Sequence, residues 1–293
     1  MKELVIISGK GGTGKTSMVS AIASLTHNMV LCDADVDAAD LHLIMDPKMV
    51  KSNPFKGGCE AVINRDKCVK CGLCQELCKW NAINEDFTVD SIECEGCGVC
   101  YYFCPEKAID FPQKTCGEWF VSETRFGPMV HARLGIAEEN SGKLVTLVRK
   151  EAKNLAEKKG LDLIITDGAP GVGCPVIASI GGADAVLIVT EPTVSGVHDM
   201  TRVAELSSHF KIPAMVCVNK YDLNSDIAKE IKQYAEDNDM PFMGQVPFDP
   251  IFTKAMVKGN NIFEYDPDAD ACTGVREIWN QTNERLCKTV TGK

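Results

Sequence analysis

Hydrophobic positions along the chain fall into short apolar runs separated by stretches with helical spacing, the pattern of strands alternating with helices. Leu4, Val5, Ile6 and Ile7 form the first run, and after a glycine-rich gap Val19, Ile22, Ala23 and Leu25 recur on one helical face. Met29-Val30-Leu31-Cys32 reads as a second buried strand, residues 161–166 as a third, and residues 185–190 and 214–219 as two more. Leu144, Leu147, Val148 and Leu155 carry a helical period through residues 143–159, and Val275, Ile278, Trp279 and Leu286 carry another through residues 271–289. Mixed charges around that tail helix suit packing against a core better than a basic membrane-surface face. Together these elements predict a doubly wound, mostly parallel α/β sheet with strands near residues 3–8, 29–32, 161–166, 185–190 and 214–219. Residues 41–58, which include Pro47, Pro54 and Gly57-Gly58, read as a link leading out of that fold.

Candidate chemistry begins in the gap between the first strand and the first helix. Ser8-Gly9-Lys10-Gly11-Gly12-Thr13-Gly14-Lys15-Thr16, followed by Ser17, places Gly9 and Gly14-Lys15-Thr16 at the spacing of a P-loop. Glycines let backbone N–H groups close around phosphate oxygens, Lys15 reaches the terminal phosphates, and the Thr16 hydroxyl faces Mg²⁺. Two strands end in acids. Asp33 and Asp35 follow the second strand, and Asp167 ends the third in a Walker B pattern suited to holding the water shell of Mg²⁺. Asp37 and Asp40 read as helix-start or solvated acids. Gly168-Ala169-Pro170-Gly171-Val172-Gly173 then supplies a flexible switch able to respond to the terminal phosphate.

A second lysine, Lys10, sits inside the glycine run. The form GKGGTGKT resembles the deviant P-loop of the ATPase class that includes the septum-positioning MinD proteins, the ParA partition proteins and the nitrogenase iron protein. The resemblance implies ATP as the nucleotide and a homodimer in which Lys10 crosses the interface to the partner's phosphates. It also implies that Asp35 positions or activates the attacking water, that Asp33 lies near the metal, and that Asn219 contacts the base. Asn219-Lys220-Tyr221-Asp222 also has the shape of the guanine-reading N-K-x-D motif, so GTP stays open beside ATP. Glu191-Pro192-Thr193 is similar to the family's loop after the preceding strand. Cys174 stands seven residues after Asp167, the spacing of a bridging-cluster ligand in the iron protein. With no counterpart for the second ligand, it reads as a small residue packed at a helix start.

Composition narrows the class. A chain of 293 residues with 45% hydrophobic and 25% charged residues suits one large α/β domain with an insertion, and no apolar run approaches the roughly 18 residues of a spanning helix. Met1-Lys2-Glu3 leads straight into a strand without an export signal, so a cytoplasmic location is expected. The net charge of −10 disfavours long-range steering to nucleic acid or anionic membrane. Fifteen cysteines in a chain lacking an export signal point to metal rather than disulfides.

Their clustering supports that reading. Cys68, Cys71, Cys74, Cys78, Ala82 and Ile83 recur 26 residues later as Cys94, Cys97, Cys100, Cys104, Ala108 and Ile109, so the segment is a duplicated unit. Each half has the spacing C-x2-C-x2-C-x3-C. Over roughly 55 residues this resembles the bacterial two-cluster ferredoxin, in which the fourth cysteine of each run ligates the other cluster. The resemblance implies two 4Fe-4S clusters, one held by Cys68, Cys71, Cys74 and Cys104 and the other by Cys94, Cys97, Cys100 and Cys78. Tetrahedral zinc is the alternative ligand. Cys78 precedes Lys79 where that family usually has proline, which alters hydrogen bonding and charge near the sulfur. Cys59 and Cys116 flank the module at spacings that fit neither quartet and read as reduced thiols.

Residues 117–143 carry no general chemical motif, though they look like the region following the ferredoxin in MinD-superfamily ATPases with an inserted ferredoxin domain. His131 and Arg133 lie there as candidate interface or pocket residues, with a structural role the simpler reading for the histidine. The implied domains are residues 1–57 and 117–293 for the ATPase and 58–116 for the ferredoxin. Three functions follow: ATP-gated electron transfer, a cluster carrier or scaffold in metalloprotein maturation, and a redox-sensing positioning ATPase. An unidentified redox or metalloprotein partner is expected, without nucleic acid or membrane insertion.

Overall fold

The computed structural model describes residues 1–135, 138 and 140–288. In chain order its first elements are β1 (Lys2–Ile7), α1 (Lys15–Ser24), β2 (Met29–Asp33), α2 (Leu41–Met45), β3 (Lys48–Cys59) and β4 (Val62–Ile63). The cysteine-rich stretch adds α3 (Leu73–Leu77), α4 (Val99–Phe103) and β5 (Ile109–Asp110). Then come β6 (Gln113–Thr124), β7 (Gly127–Leu134), α5 (Ser141–Lys159), β8 (Leu163–Asp167), α6 (Cys174–Ile180), β9 (Ala185–Thr190), α7 (Val194–His209) and β10 (Ala214–Asn219). The remainder is α8 (Ser225–Asp237), β11 (Phe242–Val246), α9 (Ile251–Val257), α10 (Ile262–Tyr265) and α11 (Asp270–Lys288).

Nine strands form the large sheet, in the order β11-β10-β9-β1-β8-β2-β7-β6-β3. From β11 through β7 every neighbouring pair is parallel. Strand alternation sorts the apolar side chains between two faces, and each face needs its own helical cover. Leu4, Ile6, Leu187, Val189 and Cys217 pack with Met18, Val19 and Ile22 of α1 and with Val275, Ile278 and Trp279 of α11. Val5, Ile7, Val186, Ile188, Val216 and Val218 pack with Val176 of α6, Met200 and Val203 of α7, and Ile231 of α8. Burial on both faces is why these strands read as unbroken apolar runs. Parallel pairing also brings the ends of β1, β2, β8, β9 and β10 to one edge, where the candidate site lies.

The five expected strands are present, and four more join them. The reading of residues 41–58 as a link is corrected: α2 and the twelve-residue β3 occupy most of it. In β3 only Phe55 is buried, so no apolar pattern announced the strand. The stretch without a motif becomes β6 and β7, joined through Arg125 and Phe126, and β7 runs parallel to β2 with Leu31 opposite Met129. Arg125 fastens that turn by hydrogen bonds to the Ile44 and Gly259 carbonyls and both Glu264 oxygens. His131 bonds Ser122 Oγ at 2.9 Å, and burial, then His42, lowers its pKa to about 4, so it serves there as a neutral packing residue.

Two compact units emerge. One comprises residues 1–52, 119–133 and 141–293; the other comprises residues 53–118 and 134–140. The second unit covers residues 58–116 and also takes in residues 53–57, 117–118 and the separate stretch 134–140, with boundaries that fall inside β3, β6 and β7. Among the described residues no helix is long and apolar enough to cross a membrane.

Candidate nucleotide site and cysteine cavities

The P-loop joins β1 to α1, and its backbone explains its glycines. Gly12 and Gly14 have φ of 79° and 88°, the left-handed region that side chains avoid. A Cβ on Gly9 would collide with the Asp199 backbone, and one on Gly14 with the Asn219 amide. Lys15 opens α1 with its side chain only 6% exposed. Its ammonium is hydrogen-bonded to Asp167 Oδ1 at the end of β8 and lies 3.4 Å from Asp35 Oδ2 beyond β2. Asp33 accepts from the Asp35 N–H at 3.1 Å through Oδ1, while its Oδ2 is buried without a hydrogen-bond partner.

Three carboxylates therefore surround one ammonium. Burial alone would lower the Lys15 pKa, but the charges of Asp167 and Asp35 outweigh it and hold the lysine protonated. Burial, then the adjacent Asp167, pushes Asp33 well above the ordinary carboxylate range. Asp35 is also raised, by burial first, although Lys15 pulls the other way. The cluster is short of positive charge, and the buried, unpartnered Asp33 Oδ2 is an oxygen that fits the water shell of a divalent cation. Thr13 Oγ1, 2% exposed, is a second buried atom without a partner in the loop. Asp37 and Asp40 are exposed, and the charge of Asp37 adds to those that raise Asp35.

The other predicted residues gather on the same edge. Lys10 Nζ lies 2.6 Å from Glu191 Oε1 and bonds Ser195 Oγ at 3.0 Å and Thr193 Oγ1 at 3.3 Å, which places it on the loop from β9 to α7 rather than on the Lys15 cluster. Asn219, 3% exposed, donates to the Thr13 carbonyl at 2.8 Å and accepts from the Lys220 N–H, so its amide braces the P-loop. Lys220 escaped the sequence reading as a site residue. Its Nζ joins the Gly12 carbonyl at 3.0 Å to Glu191 Oε2 at 3.2 Å, and the two lysines hold the Glu191 pKa below the usual carboxylate range despite burial. Asp222 Oδ1 accepts from the Phe248 N–H at 2.6 Å.

The family described as CobQ/CobB/MinD/ParA nucleotide binding domain matches residues 4–262. The chain belongs to this family. An uncharacterized protein of Methanocaldococcus jannaschii is 33% identical over 287 residues, covering 96% of each chain. An uncharacterized ATP-binding protein of the same organism is 25% identical over 281 residues, covering 94% of this chain and 85% of that one. Among solved structures, the septum site-determining protein MinD of Pyrococcus horikoshii complexed with Mg-ADP superposes with a TM-score of 0.60 at 16% identity, over 97% of this chain and 96% of the other. A chain of the MinC:MinD cell division protein complex of Aquifex aeolicus gives 0.57 at 17% identity, over 97% and 96%. The fold is thus that of MinD/ParA nucleotide-binding ATPases, with a large, mostly parallel sheet.

This MinD/ParA-type chain also carries the cysteine-rich unit, whose two halves repeat in structure as in sequence. The Asn64 N–H donates to the Ala108 carbonyl and the Asp90 N–H to the Ala82 carbonyl, each at 2.7 Å. Cys68 N–H bonds the Asn64 carbonyl and Cys94 N–H the Asp90 carbonyl, each at 3.0 Å. Gly72 and Gly98, in left-handed conformations, cap α3 and α4, and β4 pairs antiparallel with β5 so that Ile63 faces Ile109. Each half is thereby bonded to the end of the other, which carries the fourth cysteine of each run across.

One small cavity is lined by Cys68, Cys71, Cys74 and Cys104, with Leu73, Pro105 and Ile109. A second is lined by Cys78, Cys94, Cys97 and Cys100, with Trp80 and Phe111. The Cys104 sulfur accepts the Ala108 N–H at 3.3 Å, and burial, then the neighbouring cysteines Cys94, Cys97 and Cys74, raises the Cys100 thiol pKa. Among the described residues no three Cys, His, Asp or Glu side chains close on one point as ligands of a single ion. All fifteen cysteines are free. Cys116 is buried with its sulfur toward the Lys114 carbonyl, Cys174 is exposed at the start of α6, and neither cavity includes Cys59.

Proposed function

We propose that this chain is an ATP-hydrolysing switch that carries two 4Fe-4S clusters and works as a nucleotide-dependent homodimer serving a redox or metalloprotein partner. The observation that carries the reading is the sorting of eight cysteines into two cavities in crossed sets, Cys68, Cys71, Cys74, Cys104 and Cys94, Cys97, Cys100, Cys78. A four-iron cube asks for sulfurs spread around a central space, and thiols lining an apolar cavity suit that donor set. When bound, such clusters supply one-electron redox chemistry at potentials tuned by N–H···S bonds and solvent exposure. Here the Ala108 N–H supplies such a bond to Cys104, and the exposed Lys79 places a charge beside Cys78.

At the nucleotide edge, Lys15 exchanges the carboxylates of Asp167 and Asp35 for the terminal phosphates of ATP. That exchange leaves Asp35 able to orient the attacking water as a base, and leaves Asp33, Asp167 and Thr16 to hold Mg²⁺ and its water shell. Gly9, Gly11, Gly12, Thr13, Gly14 and Ser17 line the phosphate cradle. Asp222 supports adenine over guanine, because one carboxylate oxygen is engaged by the Phe248 N–H rather than left to read a base. Asn219 would reach the base only after releasing the Thr13 carbonyl. Anaerobically purified protein should contain about eight irons and eight inorganic sulfides per chain. Zinc with no inorganic sulfide would sink the cluster assignment.

A cluster carrier is the second reading, favoured by the exposure of one cysteine in each set, Cys71 and Cys97. Incubation with an apo-acceptor separates the two: a carrier gives up iron within minutes, and an electron-transfer protein keeps it through repeated reduction and oxidation.

Dimerisation rests on Lys10. For it to reach a partner's phosphates, the Glu191 contact must open. In an Asp35→Ala background that slows turnover, ATP should give a dimer by light scattering. Lys10→Ala should stay monomeric while still binding nucleotide, and Glu191→Gln should dimerise more readily. A Lys10→Ala protein that dimerises like its parent would remove the interface role of this lysine.

A further inference from the structure

The two halves of the cysteine-rich unit are internal controls for each other, because they share cysteine spacing, glycine caps and hydrogen bonds. At an offset of 26 residues, Gln75, Glu76 and Leu77 of α3 correspond to Tyr101, Tyr102 and Phe103 of α4. The first set is polar with one leucine. The second is wholly aromatic, yet none of it is buried: Tyr101 is 42% exposed, Tyr102 79% and Phe103 64%. The sister helix shows that this turn forms without aromatics, so folding does not account for them. Tyr101 stacks on Phe111 at 5.7 Å and meets Tyr102 edge-on at 5.2 Å, and Phe111 in turn lines the cavity of Cys78, Cys94, Cys97 and Cys100 together with Trp80. A continuous aromatic surface therefore runs from that cavity to solvent.

Charge differs between the halves in the same way. Lys67 and Val69 of the first half correspond to Glu93 and Glu95 of the second, and Trp80 corresponds to Glu106. Glu93, Glu95 and Glu106 are exposed. Across residues 79–107 the acids are Glu85, Asp86, Asp90, Glu93, Glu95 and Glu106, against Lys79 and Lys107. Exposed aromatics within an acidic surround are the features of a docking site with an apolar centre and a charged rim.

We propose that the α4 face of the second half, centred on Tyr102 and Phe103, is the docking site for a protein whose own face is apolar at its centre and ringed by lysine or arginine. The purpose assigned to the site, contact beside a cluster, rests on the proposed function; the surface itself stands on exposure and charge. A contact of this kind is small and transient, strengthened by opposite charge at low salt.

The probe is ferric cytochrome c, a lysine-ringed protein with an exposed apolar haem edge, titrated calorimetrically into the anaerobically purified full chain. Micromolar affinity at low salt is expected, weakening tenfold or more by 200 mM salt. Tyr102→Gln with Phe103→Gln should weaken binding at least tenfold at low salt. Glu93→Gln with Glu95→Gln should weaken it several-fold and flatten the salt dependence, and Glu76→Gln on the sister helix should change neither. ATP hydrolysis and iron content should match the parent in every variant. Unchanged affinity in the aromatic variant overturns the proposal, as does self-association or vesicle binding that this variant abolishes, since either would name a different occupant. Iron content reports separately on the cluster reading: a chain without iron that still binds the probe through α4 keeps the surface and loses the clusters.

Discussion

Lys15→Ala is expected to abolish measurable nucleotide binding and to destabilise the nucleotide-free protein as well. Among the described residues the side chain is the only cation hydrogen-bonded within the group formed by Asp33, Asp35 and Asp167, whose exposures are 1%, 8% and 1%. Removing one partner of a buried ion pair typically costs about 3 to 5 kcal/mol, because the remaining charge is left uncompensated. Asp33 and Asp35 already have raised pKa values with the lysine present, and without it they rise further. A carboxyl whose folded-state pKa lies above its unfolded value favours folding while protonated and loses that contribution as pH climbs through the folded pKa. The variant should therefore lose more stability at pH 8 than at pH 6, a difference that urea unfolding at the two pH values measures. Adding Asp33→Asn should restore much of the stability without restoring nucleotide binding. A Lys15→Ala protein that matches the parent at both pH values would show that the carboxylates are neutral in the folded protein and that the lysine balances nothing.

Much of this site was legible because its parts lie at the ends of unbroken apolar runs. β1, β2, β8, β9 and β10 are buried on both faces, so a run of three to five apolar residues marked each one, and Lys15, Asp33, Asp167 and Asn219 follow at fixed places. β3 was not legible: its first five residues are exposed, its sixth is half-buried, and Pro54 sits inside it. β11 carries Gly244 and Gln245 within five residues, too little for a pattern. The Lys10–Glu191–Lys220 chain of contacts was hidden for another reason. It joins three loops through side chains, and nothing in local spacing reports that Glu191 faces both lysines. In the cysteine-rich unit the repeat was plain, whereas the crossing of fourth cysteines came from resemblance. The hydrogen bonds from Asn64 to Ala108 and from Asp90 to Ala82 give its physical cause, since each half closes on the other's end.

That crossing makes a prediction with a large and unusual signature. If the clusters follow the cavities, Cys68→Ser, Cys71→Ser, Cys74→Ser and Cys104→Ser combined should leave one cluster, about four irons per chain, with Cys78, Cys94, Cys97 and Cys100 intact. Replacing the contiguous run Cys68, Cys71, Cys74 and Cys78 instead removes three thiols from one cavity and one from the other, so both sites are damaged and iron should fall well below four. The two quadruple variants differ only at position 78 or 104, and both replace four cysteines, so a general loss of folding would affect them alike. Circular dichroism and intact ATP hydrolysis check that the family fold persists in each. Iron and sulfide analysis, with electron paramagnetic resonance of the reduced and the oxidised proteins, then gives one intact four-iron signal on reduction for the crossed set, and for the contiguous set none, or a three-iron signal in the oxidised protein. The reverse outcome, four irons in the contiguous variant, would mean that each run serves its own cluster. The packing of Ala108 and Cys104 against the first half would then be a structural contact without a role in ligation.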